Sequence, residues 1–257
     1  MADPTEVRWI GHSTVLISLD GVRLLTDPLL RLFVKHLRRR APVHPDALRP
    51  VDAVLLSHAH HDHLDLGSLY RIAAKTPLVV PRGIGRILGR RGFRDVTELD
   101  VGETLAIGAV EVEATFAAHD GSRPPYPERA PALGYAVRGS RRIYFPGDTA
   151  LFPEMDGLVP ELDLALIPIW GWGPTLGRGA HMDPGQGAEA LALLRPRIAV
   201  PIHWGTYHPF HLGLLEAPRY LREPAERFVR AAAERAPDVE VRLLQPGETV
   251  SLGADGE

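Results

Sequence analysis

Six consecutive residues constrain this 257-residue chain more than any others: His58-Ala59-His60-His61-Asp62-His63. They follow directly on a compact apolar run, Ala53-Val54-Leu55-Leu56-Ser57, of the kind that forms a buried strand. In an extended loop His58 and His60 project to the same side, so both imidazoles reach one cation, while Asp62 and His63 turn toward a second point nearby. His61 then points away and is left out of the site. Four potential ligands at the end of a buried strand are costly as bystanders. A purification tag would sit at a terminus and would lack the interposed Asp.

Three further candidates stand where predicted strands end: His119 after Val110 to Ala117, Asp148 after Arg142 to Phe145, and His203 after Ile198 to Ile202. Each alone is weak. Strand ends on one edge of a packed sheet converge, however, and separate segments can in this way supply one site. The chain has no cysteine, which excludes disulfides, thiol catalysis and thiolate ligands, so a metal site must be built from His, Asp and Glu.

The rest of the chain reads as strand-rich blocks followed by helices. An antiparallel hairpin or meander is predicted from Val7 to Leu25, with Asp20-Gly21 as a turn, and an arginine-rich stretch from Asp27-Pro28 to Pro50 reads as one short helix and a loop. Helices are expected over Leu66 to Ala74 behind the cap Asp65, over Ile84 to Arg91 before Gly92, and over Pro218 to Ala233. Another runs from the Ncap and N1 pair Asp183-Pro184 to Leu194. Further strands are expected at Leu78 to Val80, Val96 to Leu99, Thr104 to Ile107, Leu133 to Val137, Leu164 to Ile167, Val239 to Leu244 and Thr249 to Leu252. A Pro-rich piece, Arg123 to Pro131, and a Gly-rich one, Gly171 to Gly179, read as loops. The pattern implies an α/β fold with two sheets packed face to face and helices outside, as one four-layer domain over residues 1–257.

Composition sets limits. With 45% hydrophobic and 24% charged residues the chain has the make-up of an ordinary globular protein. No apolar run approaches the ~18 residues of a membrane span, and Met1-Ala2-Asp3-Pro4-Thr5-Glu6 lacks the layout of a secretory signal, so a cytoplasmic location is expected. The formal charge of -3 argues against nucleic acid as a partner, although Lys35-His36-Leu37-Arg38-Arg39-Arg40 is a local basic cluster. Arg38 to Arg40 can hold a phosphate or an anionic head group, or form a solvated helix end.

The His-x-His-x-Asp-His loop with a separate His, Asp and His resembles the metallo-beta-lactamase superfamily, within it the branch of ascorbate-6-phosphate lactonase and the phospholipase D that hydrolyses N-acyl-phosphatidylethanolamine. Further segments carry the likeness: Trp9-Ile10-Gly11-His12-Ser13-Thr14, Leu25-Thr26-Asp27-Pro28, Pro146-Gly147-Asp148-Thr149, His181-Met182-Asp183-Pro184 and Ile202-His203-Trp204-Gly205-Thr206. The resemblance implies the αββα sandwich of that superfamily. It also implies that His58, His60 and His119 bind one metal, that Asp62, His63 and His203 bind a second, and that Asp148 bridges them. Two divalent cations about 3.5 to 4 Å apart can share a hydroxide and clamp an electrophilic oxygen. Zinc suits the imidazole-rich set, with manganese or iron open. Single occupancy is open too, with Asp62 then a general base.

The same likeness places His181 beside the metals without ligating them, where it can protonate a leaving group or donate to an oxyanion; a structural role on the Gly-rich loop is the other reading. For His12 groove and structural roles are both open, and Asp27 either supports the metal loop or caps a turn. His208 and His211 line a groove or lie on the surface, and Trp170, Trp172 and Trp204 form an apolar wall or pack in the core. The function implied is a metal-dependent hydrolase acting on an ester-type bond, a phosphodiester or a lactone, with a small-molecule or lipid-like substrate. The alternatives are a nuclease or beta-lactamase of the superfamily, a redox di-iron role, and a nonenzymatic metal-binding module.

Overall fold

In a computed structural model of the chain, residues 4–72, 76–123, 130–170, 179–210 and 217–253 are described. Strands β1 (Thr5–Gly11), β2 (Thr14–Leu19) and β3 (Val22–Thr26) form a meander, the second of the two arrangements expected. A hairpin follows, β4 (Phe33–Val34) and β5 (Leu37–Arg39), then a single 3-10 turn, Pro45–Leu48, and the strand β6 (Ala53–Leu55). Next come α1 (Leu66–Ile72), β7 (Leu78–Pro81), α2 (Gly85–Gly89) and β8 (Val96–Leu99). The middle of the chain supplies β9 (Thr104–Ile107), β10 (Val110–Asp120), β11 (Pro131–Arg138) and β12 (Arg142–Phe145). The last third supplies β13 (Leu164–Pro168), α3 (Pro184–Leu194), β14 (Ile198–Ile202), β15 (Tyr207–Pro209), α4 (Ala217–Arg235), β16 (Glu240–Val241) and β17 (Thr249–Leu252).

Among the described residues two seven-stranded sheets result, ordered β17-β1-β2-β3-β6-β7-β8 and β16-β14-β13-β12-β11-β10-β9. The first sheet is apolar on both faces, and the period of two decides which residue goes where. Val15, Ile17, Leu24, Leu55 and Val79 face the second sheet, while Leu16, Leu25, Val54, Leu56, Leu78 and Val80 meet α1 and α2 through Leu69, Ile72, Ile84 and Leu88. Against the second sheet lie α3 and α4, with Ala188, Leu191 and Phe228 buried. The order is helix, sheet, sheet, helix. Tyr135 stitches the sheets together, its hydroxyl donating to the Leu56 carbonyl at 2.7 Å.

Local chemistry sets the ends of these elements. Asp183 caps α3 with a full capping box, its side chain accepting from Gly185 and Gln186 while the Gln186 side chain reaches back to the Asp183 N–H. Asp65 accepts from the Ser68 N–H at 2.9 Å at the start of α1. That helix is described to Ile72; the rest of its predicted span lies outside the described residues, as do 124–129 of the Pro-rich piece and 171–178 of the Gly-rich one.

The stretch from Asp27 to Pro50 corrects the sequence reading, which expected a short helix and a loop. It holds the β4–β5 hairpin, which pairs with β15 into a small third sheet, β15-β5-β4. The reason is a face that buries every second residue. Val34, Leu37 and Tyr207 close on Leu29, and Arg39 goes in with them, 4% exposed. Its guanidinium donates to the carbonyls of Leu29 at 2.8 Å, Ile10 at 2.7 Å and Ala41 at 2.8 Å. A charge inside is tolerated because these carbonyls replace water. Arg38 and Arg40, one residue to either side, are exposed strand-edge cations rather than a helix end.

Substitutions along the run should therefore diverge. Arg39→Ala is expected to lower stability by about 3 kcal/mol, because buried carbonyls lose a charged donor. Arg38→Ala and Arg40→Ala should stay within about 0.5 kcal/mol of the parent. Equilibrium urea unfolding of the three variants measures the difference.

Candidate metal centre

The predicted ligands arrive from both sheets at one edge of the sandwich. His58, His60, Asp62 and His63 follow β6, His119 lies near the end of β10, Asp148 follows β12, and His203 follows β14. Backbone strain marks the spot: His12, Asp27 and His203 take positive φ of 55°, 30° and 62°. Such conformations cost on the order of 1–3 kcal/mol each and persist where the surroundings over-determine them. Gly147, at φ +62°, lets the turn before Asp148 press against the ligand loop, since a Cβ there would lie 2.5 Å from the Ser57 Cβ.

Three ring nitrogens meet first. His60 Nδ1 is 3.0 Å from His58 Nε2 and 3.2 Å from His119 Nε2. Asp62, His63 and His203, with His12, form a second group whose ligand atoms all lie within 4.8 Å of one another. Asp148 sits between the two. Its carboxylate oxygens are 4.0 Å from His58 Nε2, 3.1 Å from His63 Nε2 and 3.2 Å from His203 Nε2. His181 Nε2 is 3.0 Å from the same carboxylate and joins His119 and Asp148 in a further group of potential ligands.

The far sides of four of these imidazoles are held. His203 Nδ1–H donates to the Trp170 carbonyl at 2.6 Å and His119 Nδ1–H to the Ala180 carbonyl at 2.7 Å. His63 Nδ1–H donates to Asp27 at 2.7 Å, and His58 Nδ1–H to the Ser57 hydroxyl at 2.9 Å. Ser57 in turn gives its backbone N–H and its hydroxyl proton to Asp27. With Nδ1 protonated, a neutral ring keeps the Nε2 lone pair for a cation; at His63 the neighbouring carboxylates favour the imidazolium, whose Nε2 proton a metal ion would replace. His63 Nε2 and Asp148 Oδ1 are buried and make no hydrogen bond. A donor set of bare ring nitrogens around buried carboxylates fits divalent metal ions.

Charge follows burial and neighbours. Burial, helped by nearby imidazoles, pushes His58, His60 and His119 below the usual histidine range. His12, also buried and beside His203, falls to about 3. Burial acts on His63 in the same direction but is outweighed by Asp148, Asp27 and Asp62, which hold it well above that range. For Asp62 and Asp148 burial opposes ionisation, yet the surrounding imidazoles keep both well below the usual carboxylate range.

The remaining candidates divide. His12 stands against the second group, its Nε2 3.2 Å from Asp62 and its ring 4.0 Å from that of His203. His61 turns away to Arg123, 2.6 Å from that guanidinium; burial, then Arg123 and Lys35, lower its pKa. His208 is buried in β15 and donates to the Arg38 carbonyl at 3.1 Å, so it is neither a surface nor a groove residue. Trp204 stacks on Trp9 in the core, and Trp170 is half-buried against Tyr220. His211 and Trp172 lie outside the described residues. Sequence reading missed Arg123, which donates to the Leu64 carbonyl at 2.7 Å and braces the ligand loop. No pattern in the Pro-rich segment marks it.

Comparison with known proteins shows the family. Residues 22–204 match the family model of the beta-lactamase superfamily domain. A UPF0173 metal-dependent hydrolase of Methanopyrus kandleri is 32% identical over 252 residues, covering 95% of this chain and 98% of that protein. An N-acyl-phosphatidylethanolamine-hydrolyzing phospholipase D of Caenorhabditis elegans is 34% identical over 247 residues, covering 86% of this chain and 67% of that one. Among solved structures, a metallo hydrolase of Ignicoccus hospitalis is similar at a TM-score of 0.72 and 25% identity, covering 98% of this chain and 100% of that one.

The role of Asp27 gives a test. Asp27→Ala removes the acceptor that orients His63 and Ser57, and metal affinity should fall by about 10- to 100-fold. Competition with a chromophoric chelator reads that loss directly.

Proposed function

Since this chain belongs to the beta-lactamase superfamily and is a metal-dependent hydrolase, we propose that it cleaves phosphodiesters with two zinc ions held by the clustered ligands. His58, His60 and His119 hold one ion, Asp62, His63 and His203 hold the other, and Asp148 lies between them. The observation that carries this reading is the meeting of two donor groups at one buried carboxylate, with His63 Nε2 and Asp148 Oδ1 left without hydrogen bonds. Imidazole-rich sets suit zinc. When bound, divalent cations supply Lewis acidity that polarises a phosphoryl oxygen and makes water acidic near neutral pH.

The chain's own residues complete the reaction. Asp62, ionised and fixed by His12, is a ligand of the second ion; with only the first ion bound it would instead accept the proton of the attacking water, whose oxygen bonds to phosphorus as the ester P–O bond breaks. His181, half-buried beside Asp148, delivers a proton to the departing oxygen. Burial keeps solvent from competing for His58, His63 and His203, whose side chains have no exposed surface. The phosphodiester is favoured over other esters by the similarity to the C. elegans phospholipase across most of this chain, and that likeness favours a lipid-like diester.

Turnover of bis-aryl phosphates, phospholipids, lactones and beta-lactams by zinc-reconstituted protein tests this reading. Phosphodiester turnover is expected, with His60→Ala and Asp148→Ala reduced to background and His181→Ala lowered about 10²- to 10⁴-fold in kcat. Ring opening of lactones without phosphodiester cleavage would overturn the choice of bond. Full activity in His60→Ala and Asp148→Ala would overturn the site.

A further inference from the structure

The β4–β5 hairpin has chemistry that the metal centre does not use. Between Asp27 and Asp46 the chain contains no acidic residue, yet Arg31, Lys35, Arg38, Arg39 and Arg40 fall there in a protein of net charge -3. Arg39 is turned inward, and Arg31 pairs with Asp65 at 3.3 Å. Lys35, Arg38 and Arg40 are exposed and have no carboxylate within ion-pair distance among the described residues.

Apolar side chains stand out beside these cations. Leu32 is 56% exposed, Phe33 47% and Phe210 60%. Phe33 and Arg38 are cross-strand partners, with the guanidinium 5.8 Å from the ring centroid. The Phe210 N–H donates to the His36 carbonyl at 3.0 Å, which brings Phe210 to the turn of the hairpin. Large apolar groups held out in water cost free energy unless something covers them.

We propose that this hairpin, with Phe210, docks the protein onto anionic phospholipid bilayers. Leu32, Phe33 and Phe210 enter the boundary between head groups and acyl chains, and Lys35, Arg38 and Arg40 lie among the lipid phosphates. A bilayer is favoured over an acidic protein by the make-up of the patch. Three apolar tips and three exposed cations are far fewer than the roughly 20–30 residues a side of a stable protein interface. A lipid surface accepts them without a matching contour. The inner face of the same small sheet ties the hairpin to the metal centre, since the Tyr207 hydroxyl donates to the Arg31 carbonyl at 2.6 Å and its ring lies 5.7 Å from that of His12. The proposal goes beyond the hydrolytic reading and stands without it, because binding is read with no turnover.

Flotation of the full-length, zinc-loaded protein with vesicles of phosphatidylcholine, or of equimolar phosphatidylcholine and phosphatidylglycerol, tests it. Partition into the anionic vesicles is expected, with little into the neutral ones and a steep loss at molar salt. Each basic residue contributes a factor of roughly five, so Lys35→Ala with Arg38→Ala should lower the partition coefficient by roughly 30-fold. Leu32→Ser with Phe33→Ser should lower it about tenfold or more. Arg227→Ala with Arg230→Ala, the same charge change on exposed positions of α4, should leave it unaltered. Circular dichroism and thermal midpoints confirm that each variant is folded. The proposal is overturned if the wild type stays out of anionic vesicles, if the hairpin variants partition like the wild type, or if the α4 variant loses as much. Binding to soluble polyglutamate but not to vesicles also overturns it. Turnover of a soluble bis-aryl phosphate, measured separately, keeps a failure here distinct from a failure of the hydrolytic reading.

Discussion

Asp27 has no solvent exposure, and its carboxylate accepts three hydrogen bonds, two from Ser57 and one from His63. Through Ser57 it also reaches His58, so one buried charge fixes the ring orientation of two imidazoles on the loop that follows β6. The rest of the site depends on this arrangement. A loop with four histidines and an aspartate has many ways to pair its own side chains, and each of those would turn a ring nitrogen away from the centre. Holding Nδ1 from behind leaves Nε2 exposed toward the middle, where water cannot satisfy it. The strain at His12, Asp27 and His203 is consistent with a site shaped against local backbone preference.

Much of the fold could be read from residue patterns because the first sheet buries both of its faces. Apolar runs such as Val54-Leu55-Leu56, whose side chains go alternately to the two cores, mark strands whether or not their partners are known. Asp183-Pro184 announces α3 through cap chemistry alone. The β4–β5 hairpin was not legible, because Arg39 is a charged residue in an inward position and is stabilised by carbonyls that only the tertiary fold brings to it. The short β15 was missed for a similar reason: His208 and Pro209 carry no strand signal, and pairing with Arg38 and Leu37 holds them in place.

The candidate ligands were legible because chemistry confines metal donors to few residue types, and a chain without cysteine narrows them further. Their supports were not. The Ala180 and Trp170 carbonyls that orient His119 and His203 are backbone groups, and any residue could supply them. The contact of His12 with Asp62 joins positions fifty residues apart through a turn at positive φ. The small third sheet connects this supporting layer to the surface: its inner face holds Arg39 and Tyr207 against the site, and its outer face carries Phe33 and Arg38.

The proposed centre requires distant segments of this chain to gather imidazoles and carboxylates around bound ions. Anomalous diffraction from crystals of the zinc-reconstituted protein, recorded at the zinc edge, locates those ions. Two peaks about 3.5 to 4 Å apart are expected, one facing His58, His60 and His119 and one facing Asp62, His63 and His203. Zinc found only elsewhere on the protein, or no anomalous density among these side chains, would contradict it.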